Sequence, residues 1–301
     1  MGRLIAIVLG AAAGGGFPQW NCRCPVCALA WAGDARVKPR TQASLAVSAD
    51  GEQWVLLNAA PDLRAQLQAT PALQPRKAPR HSPIAAVVLT GAEIDQTAGL
   101  LTLREGQAFA LYGTAETLAA VAANPMFNAL ASDVVARRPV AIGGGFDLPG
   151  GLTAELFAVP GKVPLYLEGG NPDLAREGEA NVGIALAAGG RRLLFVPGAA
   201  KVTPALRERL SAADVILFDG TLFTDNEMIA SGTGEKSGRR MGHMPIDGEG
   251  GSLGELAGLA ARRIYIHINN TNPILVDGSA ERRTVAAAGW EIAEDGLRIE
   301  V

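Results

Sequence analysis

Three cysteines fall within six residues, at Cys22, Cys24 and Cys27 of NCRCPVC, and the chain has no others. Three soft sulfur donors so close along a loop can hold one Zn²⁺ with little chain strain, leaving one tetrahedral position for a residue distant in sequence. The alternative is three incidental buried thiols. With no histidine nearby in sequence, a cluster of this kind suggests coordination before nucleophilic catalysis. A second candidate is VVLTGAEIDQTAGL at 87–100. An apolar run ends at Thr90, an acidic loop follows, and an Ala/Gly-rich apolar segment begins. Alternate residues of an extended loop point the same way, so Glu93 and Asp95 can converge on one cation. Equally, both acids can be solvated, or Asp95 can cap a helix. Of the three histidines, His267 ends the strand-like run RRIYIHINN, at the edge where a cleft is expected. His243 lies in the glycine-flanked MGHMP, and His81, in the polar KAPRHSP, reads as a solvated loop residue. Asp219 ends VILFDG and faces the same kind of edge. Taken singly, His243 and His267 are equally readable as structural histidines.

These residues need elements to hold them. Strand-like runs recur at 4–9, 44–48, 54–58, 85–90, 109–112, 153–159, 182–187, 192–196, 215–219 and 263–268. Helical patterns lie at 61–69, 95–103, 114–123, 204–212, 253–261 and 280–288. Early strands follow one another as hairpins and later ones alternate with helices, which predicts mixed sheets covered by helices in one domain over 1–301. Gly/Pro clusters such as IGGGFDLPGG and EGGNP read as joints. The segments 160–180 and 221–250 are long, Gly-rich and weakly patterned, as functional lids often are.

The 301 residues are 48% apolar and carry a net charge of -3 with no basic run, which argues against a nucleic-acid partner. No apolar run is long enough to span a bilayer. The start, MGRLIAIVLGAAAGGG, has the Arg, apolar run and Ala-rich stretch of a secretory signal, yet also reads as a buried first strand ending in a Gly-rich turn. The cysteine cluster favours the strand and a reducing, cytoplasmic setting.

Taken in order, the Gly-rich turn, C-x-C-x-x-C, LLNAAPDLR, LTGAEIDQTAGL, LFVPGAAK, ILFDGT, MGHMPI and IHINNTNPIL resemble the metallo-β-lactamase superfamily over essentially the whole chain. The resemblance is to its phosphodiesterase branch, which includes tRNA-processing nucleases, and more closely to members that serve pyrroloquinoline quinone (PQQ) biosynthesis. It implies a four-layer αβ/βα sandwich. The superfamily loop is T-H-x-H-x-D-H; here its histidines fall on Gly91, Glu93 and Gln96, and Asp95 alone is kept. The acidic residue expected in L-I-D-A-G is Asn58, a later metal histidine falls near Gly161, and the bridging aspartate falls near Gly198. The final metal histidine is kept as His267. A di-zinc hydrolase centre is therefore not expected.

The resemblance implies instead that Glu93, Asp95 and His267 hold one metal, with Asp219 as a possible further carboxylate ligand and His243 as a base. Such a mixed O/N set suits Fe(II) or Mn(II). It further implies a hydroxylation on the tyrosine-derived ring of a cross-linked Glu–Tyr precursor, by an iron-dependent oxidoreductase. The partners implied are that small molecule, other PQQ-biosynthesis proteins and a second copy in a homodimer. The first alternative is a non-catalytic carrier that helps move PQQ or its precursor toward the periplasm. The second is a residual hydrolase using His243 and Asp219 as a proton-transfer pair. At the cysteines, related phosphodiesterases close a structural zinc site with a histidine three residues after the final metal histidine; that place is Asn270, so Asn270 or a water is expected there.

Overall fold

The computed structural model describes residues 3–77, 79–169, 173 and 176–301. In chain order the strands are β1 (Ile5–Gly10), β2 (Ser44–Ser48), β3 (Trp54–Leu57), β4 (Ile84–Val88), β5 (Phe109–Gly113), β6 (Val135–Pro139), β7 (Gly145–Leu148), β8 (Leu152–Ala158), β9 (Val182–Ala188), β10 (Arg191–Val196), β11 (Val215–Asp219), β12 (Arg262–Ile266), β13 (Trp290–Ile292) and β14 (Arg298–Glu300). They form two seven-stranded sheets, ordered β14-β1-β2-β3-β4-β5-β6 and β13-β12-β11-β10-β9-β8-β7. Each sheet begins with antiparallel hairpins and continues with parallel strands reached by crossovers, at β3-β4-β5-β6 and at β10-β11-β12-β13. The progression read along the sequence as hairpins followed by helix-linked strands thus occurs twice.

Alternation along the strands sorts the core into three layers. Val8, Leu45, Val55 and Val88 face Leu156, Ile184, Phe195 and Leu217 between the sheets. Ile7, Trp54, Leu56 and Leu111 point the other way, onto Leu63, Leu118 and Val121 of the helices Leu63–Ala69 and Ala115–Ala122. Leu194, Ile216, Phe218 and Tyr265 pack outward onto Leu206, Leu210 and Val285 of the helices Pro204–Ser211 and Ala280–Ala287. The architecture is the αβ/βα sandwich expected from the sequence. No helix among the described residues is long and apolar enough to cross a membrane.

Several boundaries differ from the sequence reading for local reasons. β6 has two arginines among five residues and is largely exposed, β13 and β14 have three residues each, and β7 lies inside the glycine cluster read as a joint. None of these offers a clear apolar alternation. The helix expected at 253–261 stops at Glu255, and Gly258 then takes φ 78°. The segment 95–103 divides into a short α-helix, Ile94–Thr97, and the 3₁₀ turn Ala98–Leu103. Its N-cap is Glu93, not Asp95. The loop 160–180 lies partly outside the described residues. His81 is half-buried and accepts a bond from the Arg76 backbone N–H at 3.2 Å, so it is less solvated than its neighbours suggested.

The turn 267–272 after β12 is pinned from below by the helix Glu227–Ala230. Glu227 is 9% exposed and accepts bonds from the Phe223 N–H at 2.7 Å and the Thr271 hydroxyl at 2.5 Å. Burial, partly offset by these bonds, pushes its carboxyl up to about 7 from 4.5. The folded protein therefore holds this proton more tightly than the unfolded chain. The associated stability is complete below about pH 4.5 and is lost as pH rises through about 7. We expect Glu227→Gln to remove that loss, raising stability at pH 8 relative to pH 5 by up to about 3 kcal/mol, read from urea midpoints at both pH values. An unchanged pH dependence would refute it.

Candidate metal centres

β11 and β12 end side by side, with Asp219 in register with Ile266 and His267 following. His267 has φ 58°, and Asn58, just after β3, has φ 62°; among the described residues no other non-glycine side chain sits in that left-handed region. Strain of this kind collects at functional sites. Asn58 clamps the start of the acidic loop: its Nδ2 donates to Thr90 Oγ1 at 2.9 Å and its Oδ1 accepts from Thr90 N at 2.9 Å.

Asp219 is fully buried and its carboxylate is saturated. Oδ2 accepts from Ala199 N at 2.8 Å and from His243 Nδ1 at 2.7 Å, and Oδ1 accepts from Thr221 N at 3.0 Å and Thr221 Oγ1 at 2.6 Å. Burial acts to raise its pKa, but the neighbouring imidazoles and the Thr221 bond win and hold it below the usual carboxylate range. Thr221 Oγ1 also lies 2.9 Å from His267 Nδ1. Both imidazoles thus turn Nδ1 toward Asp219 or its bonded hydroxyl, and their rings stack at 5.1 Å between centroids and 19° between planes. Ligand atoms of Asp219, His243 and His267 lie within 4.8 Å of one another. Because all four acceptor directions of Asp219 are used, it serves as the orienting carboxylate, while the histidines keep Nε2 for other partners.

For His267 that partner is Asp95, whose Oδ2 lies 2.9 Å from Nε2 across 172 residues of sequence. Burial opposes charge on His267, but the bonds and charges of Asp95 and Asp219 outweigh it and raise its pKa. Burial likewise works against the Asp95 carboxylate, and His267 more than compensates, lowering its pKa. A proton shared by two groups at this spacing occupies the place of an ion bound to both, since adjacent ligands at ~2.0–2.2 Å from a metal lie about 3 Å apart.

Glu93 does not join them. Its Oε1 accepts from Leu165 N at 3.0 Å and faces Lys162 Nζ at 3.4 Å. The expectation that Glu93 and Asp95 converge is corrected here: the N-cap turn at Glu93 sends its carboxylate to the neighbouring loop. Lys162 also approaches Glu168 at 3.3 Å, and Glu168 pairs with Arg240 at 2.6 Å, so one ion-pair chain ties the acidic loop to both long loops. Together these enclose a cavity of about 770 Å³ lined by Asp95, Asn181, His243 and His267, with Ile94, Leu165 and Met241 also lining it.

Where the resemblance leads one to expect further ligands, neighbouring side chains fill the space. A Cβ on Gly91 would come 2.6 Å from Gln96 Oε1, which accepts from Glu93 N at 3.1 Å. A Cβ on Gly161 would collide with the Asn181 amide, which donates to Val159 O at 3.3 Å and Gly198 O at 3.2 Å. A Cβ on Gly198 would lie 3.3 Å from His243 Cε1. Asn181 and Thr221 were missed in the sequence: Asn181 stands in no recognisable motif, and Thr221 closes ILFDGT, where Asp219 drew the attention.

The three cysteines form a second centre, with their sulfurs within 4.8 Å of one another. Cys24 caps the helix Pro25–Trp31, its Sγ accepting from Cys27 N at 3.4 Å. Asn270 closes the open face: its Nδ2 lies 3.2, 3.3 and 3.9 Å from the sulfurs of Cys22, Cys27 and Cys24. Sulfur and oxygen ligands of one tetrahedral Zn²⁺ lie about 3.5 Å apart, and a half-turn of the amide puts Oδ1 in that place. Burial, reinforced by the neighbouring sulfurs, pushes the Cys24 thiol up to about 12, and burial raises Cys27 as well. A cation entering here must displace protons.

Residues 53–268 match the family described as Beta-lactamase superfamily domain. The chain is 59% identical over 295 residues to Coenzyme PQQ synthesis protein B of Methylobacterium sp. (strain 4-46), covering 98% of this chain and 99% of the relative. It superimposes on the crystal structure of Zn(2+)-bound PqqB from Methylobacterium extorquens with a TM-score of 0.97 at 53% identity, over 99% of this chain and 100% of that one. A diphosphatase from the PhnP family shares the fold at 20% identity and a TM-score of 0.70, over 99% and 97% of the two chains.

The packing of Asn181 against Gly161 yields a direct test. Gly161→Ala should cost roughly 1–3 kcal/mol by overpacking, and the same change in an Asn181→Ala background should cost less. Equal costs in both backgrounds, from chemical denaturation of the four proteins, would show that Asn181 does not fill that position.

Proposed function

The chain belongs to the coenzyme PQQ synthesis protein B family of the β-lactamase superfamily and takes part in PQQ biosynthesis, and on that premise we propose that it catalyses a metal-dependent oxidative step there. The reaction proposed is hydroxylation of the tyrosine-derived ring of a cross-linked Glu–Tyr precursor, in which one oxygen atom of O₂ replaces a ring hydrogen and the other leaves as water, with two further electrons drawn from an external reductant. The observation that carries this reading is the Asp95–His267 pair, spaced for one shared ion at the edge of the cavity and backed by Asp219. Gly91, Gly161 and Gly198 offer no side-chain ligand for the second ion of a hydrolytic centre.

In this proposal Asp95 and His267 hold one divalent ion, with His243 Nε2 as a third ligand or as the group that takes the phenolic proton. Glu93 has a different task, closing the loop over the cavity through Leu165 and Lys162. An iron ion bound by one carboxylate and imidazole keeps open positions, which is what oxidation of a phenolic ring by O₂ requires. His243 is suited to proton exchange because Asp219 fixes its Nδ1 side and can balance a charge gained at Nε2. The Cys22, Cys24, Cys27 and Asn270 centre is proposed to hold a structural Zn²⁺, in keeping with its sulfur donors and the zinc-bound relative. The place of action proposed is the cytoplasm.

The carrier reading is favoured by one observation, the apolar rim: Ile94 is 62% exposed, Leu165 58% and Leu167 53%, a surface on which an aromatic ligand can be held without turnover. Anaerobic reconstitution with Fe(II), followed by O₂ and the Glu–Tyr substrate, separates the two. Substrate-dependent oxygen uptake is expected; tight binding with no uptake supports the carrier.

Two sets of variants extend the test. His267→Ala should lose the cavity metal and turnover together, whereas His243→Ala should lower turnover by roughly 10²- to 10⁴-fold if it accepts the proton. Retention of full metal and oxygen uptake by His267→Ala rules out the assignment. Cys24→Ser should lose zinc and lower the melting temperature while Asn270→Asp keeps both, measured by metal analysis and thermal unfolding.

A further inference from the structure

Thr221 is assigned no role by any motif, yet its hydroxyl is the meeting point of the cavity's polar network. Four polar atoms surround Oγ1: Asp219 Oδ1 at 2.6 Å, His267 Nδ1 at 2.9 Å, the His267 carbonyl O at 3.0 Å and His243 Nδ1 at 3.1 Å. A hydroxyl has one hydrogen to give and two lone pairs with which to accept. Asp219 Oδ1 and the His267 carbonyl can only accept, so the hydrogen goes to one of them. The charged oxygen at 2.6 Å has the length of a charge-assisted O–H···O⁻ bond. His243 Nδ1 has a nearer acceptor in Asp219 Oδ2, at 2.7 Å. A lone pair of Thr221 Oγ1 therefore faces His267 Nδ1, and a bare nitrogen there would set lone pair against lone pair. His267 must therefore carry a hydrogen on Nδ1 besides the proton that Nε2 shares with Asp95, and Nε2 alone faces a partner that an ion can take over.

We infer that Thr221 is a positioning residue that fixes the tautomer of His267, relaying the charge of Asp219 so that Nε2 stands ready to bind a divalent cation shared with Asp95. The inference deepens the proposed metal reading and rests on it for the cation, but the hydrogen on Nδ1 is a property of the metal-free chain as well. Ligating imidazoles are oriented in this way by the group bonded to their other nitrogen, and loss of that group costs about 10- to 100-fold in metal affinity.

The test uses the whole protein, metal-free and loaded with Co²⁺, as wild type, Thr221→Val and Thr221→Ser. Nitrogen-15 shifts of the imidazoles report which nitrogen bears hydrogen, and three histidines make assignment by substitution practical. Wild type is expected to show a hydrogen on His267 Nδ1 in both forms. Thr221→Val, nearly isosteric, should lose that preference and bind the cavity Co²⁺ about 10- to 100-fold more weakly, read from d–d absorption beyond the cysteine-bound equivalent. Thr221→Ser should restore both. A bare Nδ1 in the loaded wild type overturns the inference whether or not the variants fold, as does equal damage in the Ser and Val variants. A wild type that carries the Nδ1 hydrogen yet takes no second Co²⁺ sinks the metal reading and leaves the tautomer assignment standing.

Discussion

The buried carboxylate of Asp219 is the fixed point of the cavity. It is placed by a strand whose five residues are all buried, and its charge is held in a region that water does not reach. An unpaired charge there would be costly; four hydrogen bonds and two nearby imidazoles remove that cost. The same bonds dictate geometry. They draw the His243 loop onto the end of β11, hold Ala199 after β10, and through Thr221 set the ring of His267 after β12. Three chain segments that share only the sheet edge become one rigid group because they share one anion.

The acidic loop is fastened independently. Asn58 clamps Thr90 at its start, and Ala59 and Gly99 exchange backbone bonds with it further on, at 2.7 Å to Gln96 O and 2.8 Å to Ala59 O. Asp95 is thereby brought to His267 from the opposite sheet. The cavity lies between two separately braced walls, the arrangement in which a bound ion or ligand finds its partners already in place. Across the mouth, Glu93, Lys162, Glu168 and Arg240 link these walls to the long loops. Lys162 and Glu168 are mostly shielded from solvent, at 11% and 7% exposure, so their attraction is less screened than that of a surface pair.

The cysteine centre lies on the far side of the same turn. Asn270 touches its three sulfurs only three residues after His267, and Glu227 holds the next residue, Thr271. Order at the cysteines therefore bears on the backbone that carries the His267 ring. An ion held by the cysteines, as proposed, would steady that backbone.

Much of this was legible in the chain. The apolar runs ending at Asp219 and at His267 announced strands with polar residues at their carboxyl ends, and the cysteine spacing announced three sulfurs close together. Glycines at 91, 161 and 198 already ruled out side-chain ligands at those places, because no fold can supply atoms that the residue lacks. What the tertiary structure decided was direction and saturation. Glu93 and Asp95 are two residues apart, yet one turns to Lys162 and the other to His267, because the N-cap at Glu93 reverses the alternation that an extended loop would keep. Asp219 is chemically a possible ligand, but its four bonds, all to residues 199, 221 and 243, suit it to orient the others. Thr221 and Asn181 gained their roles from neighbours distant in sequence. Side-chain types and strand ends follow from the local sequence, whereas which lone pair remains free depends on groups that only the folded chain brings within about 3 Å.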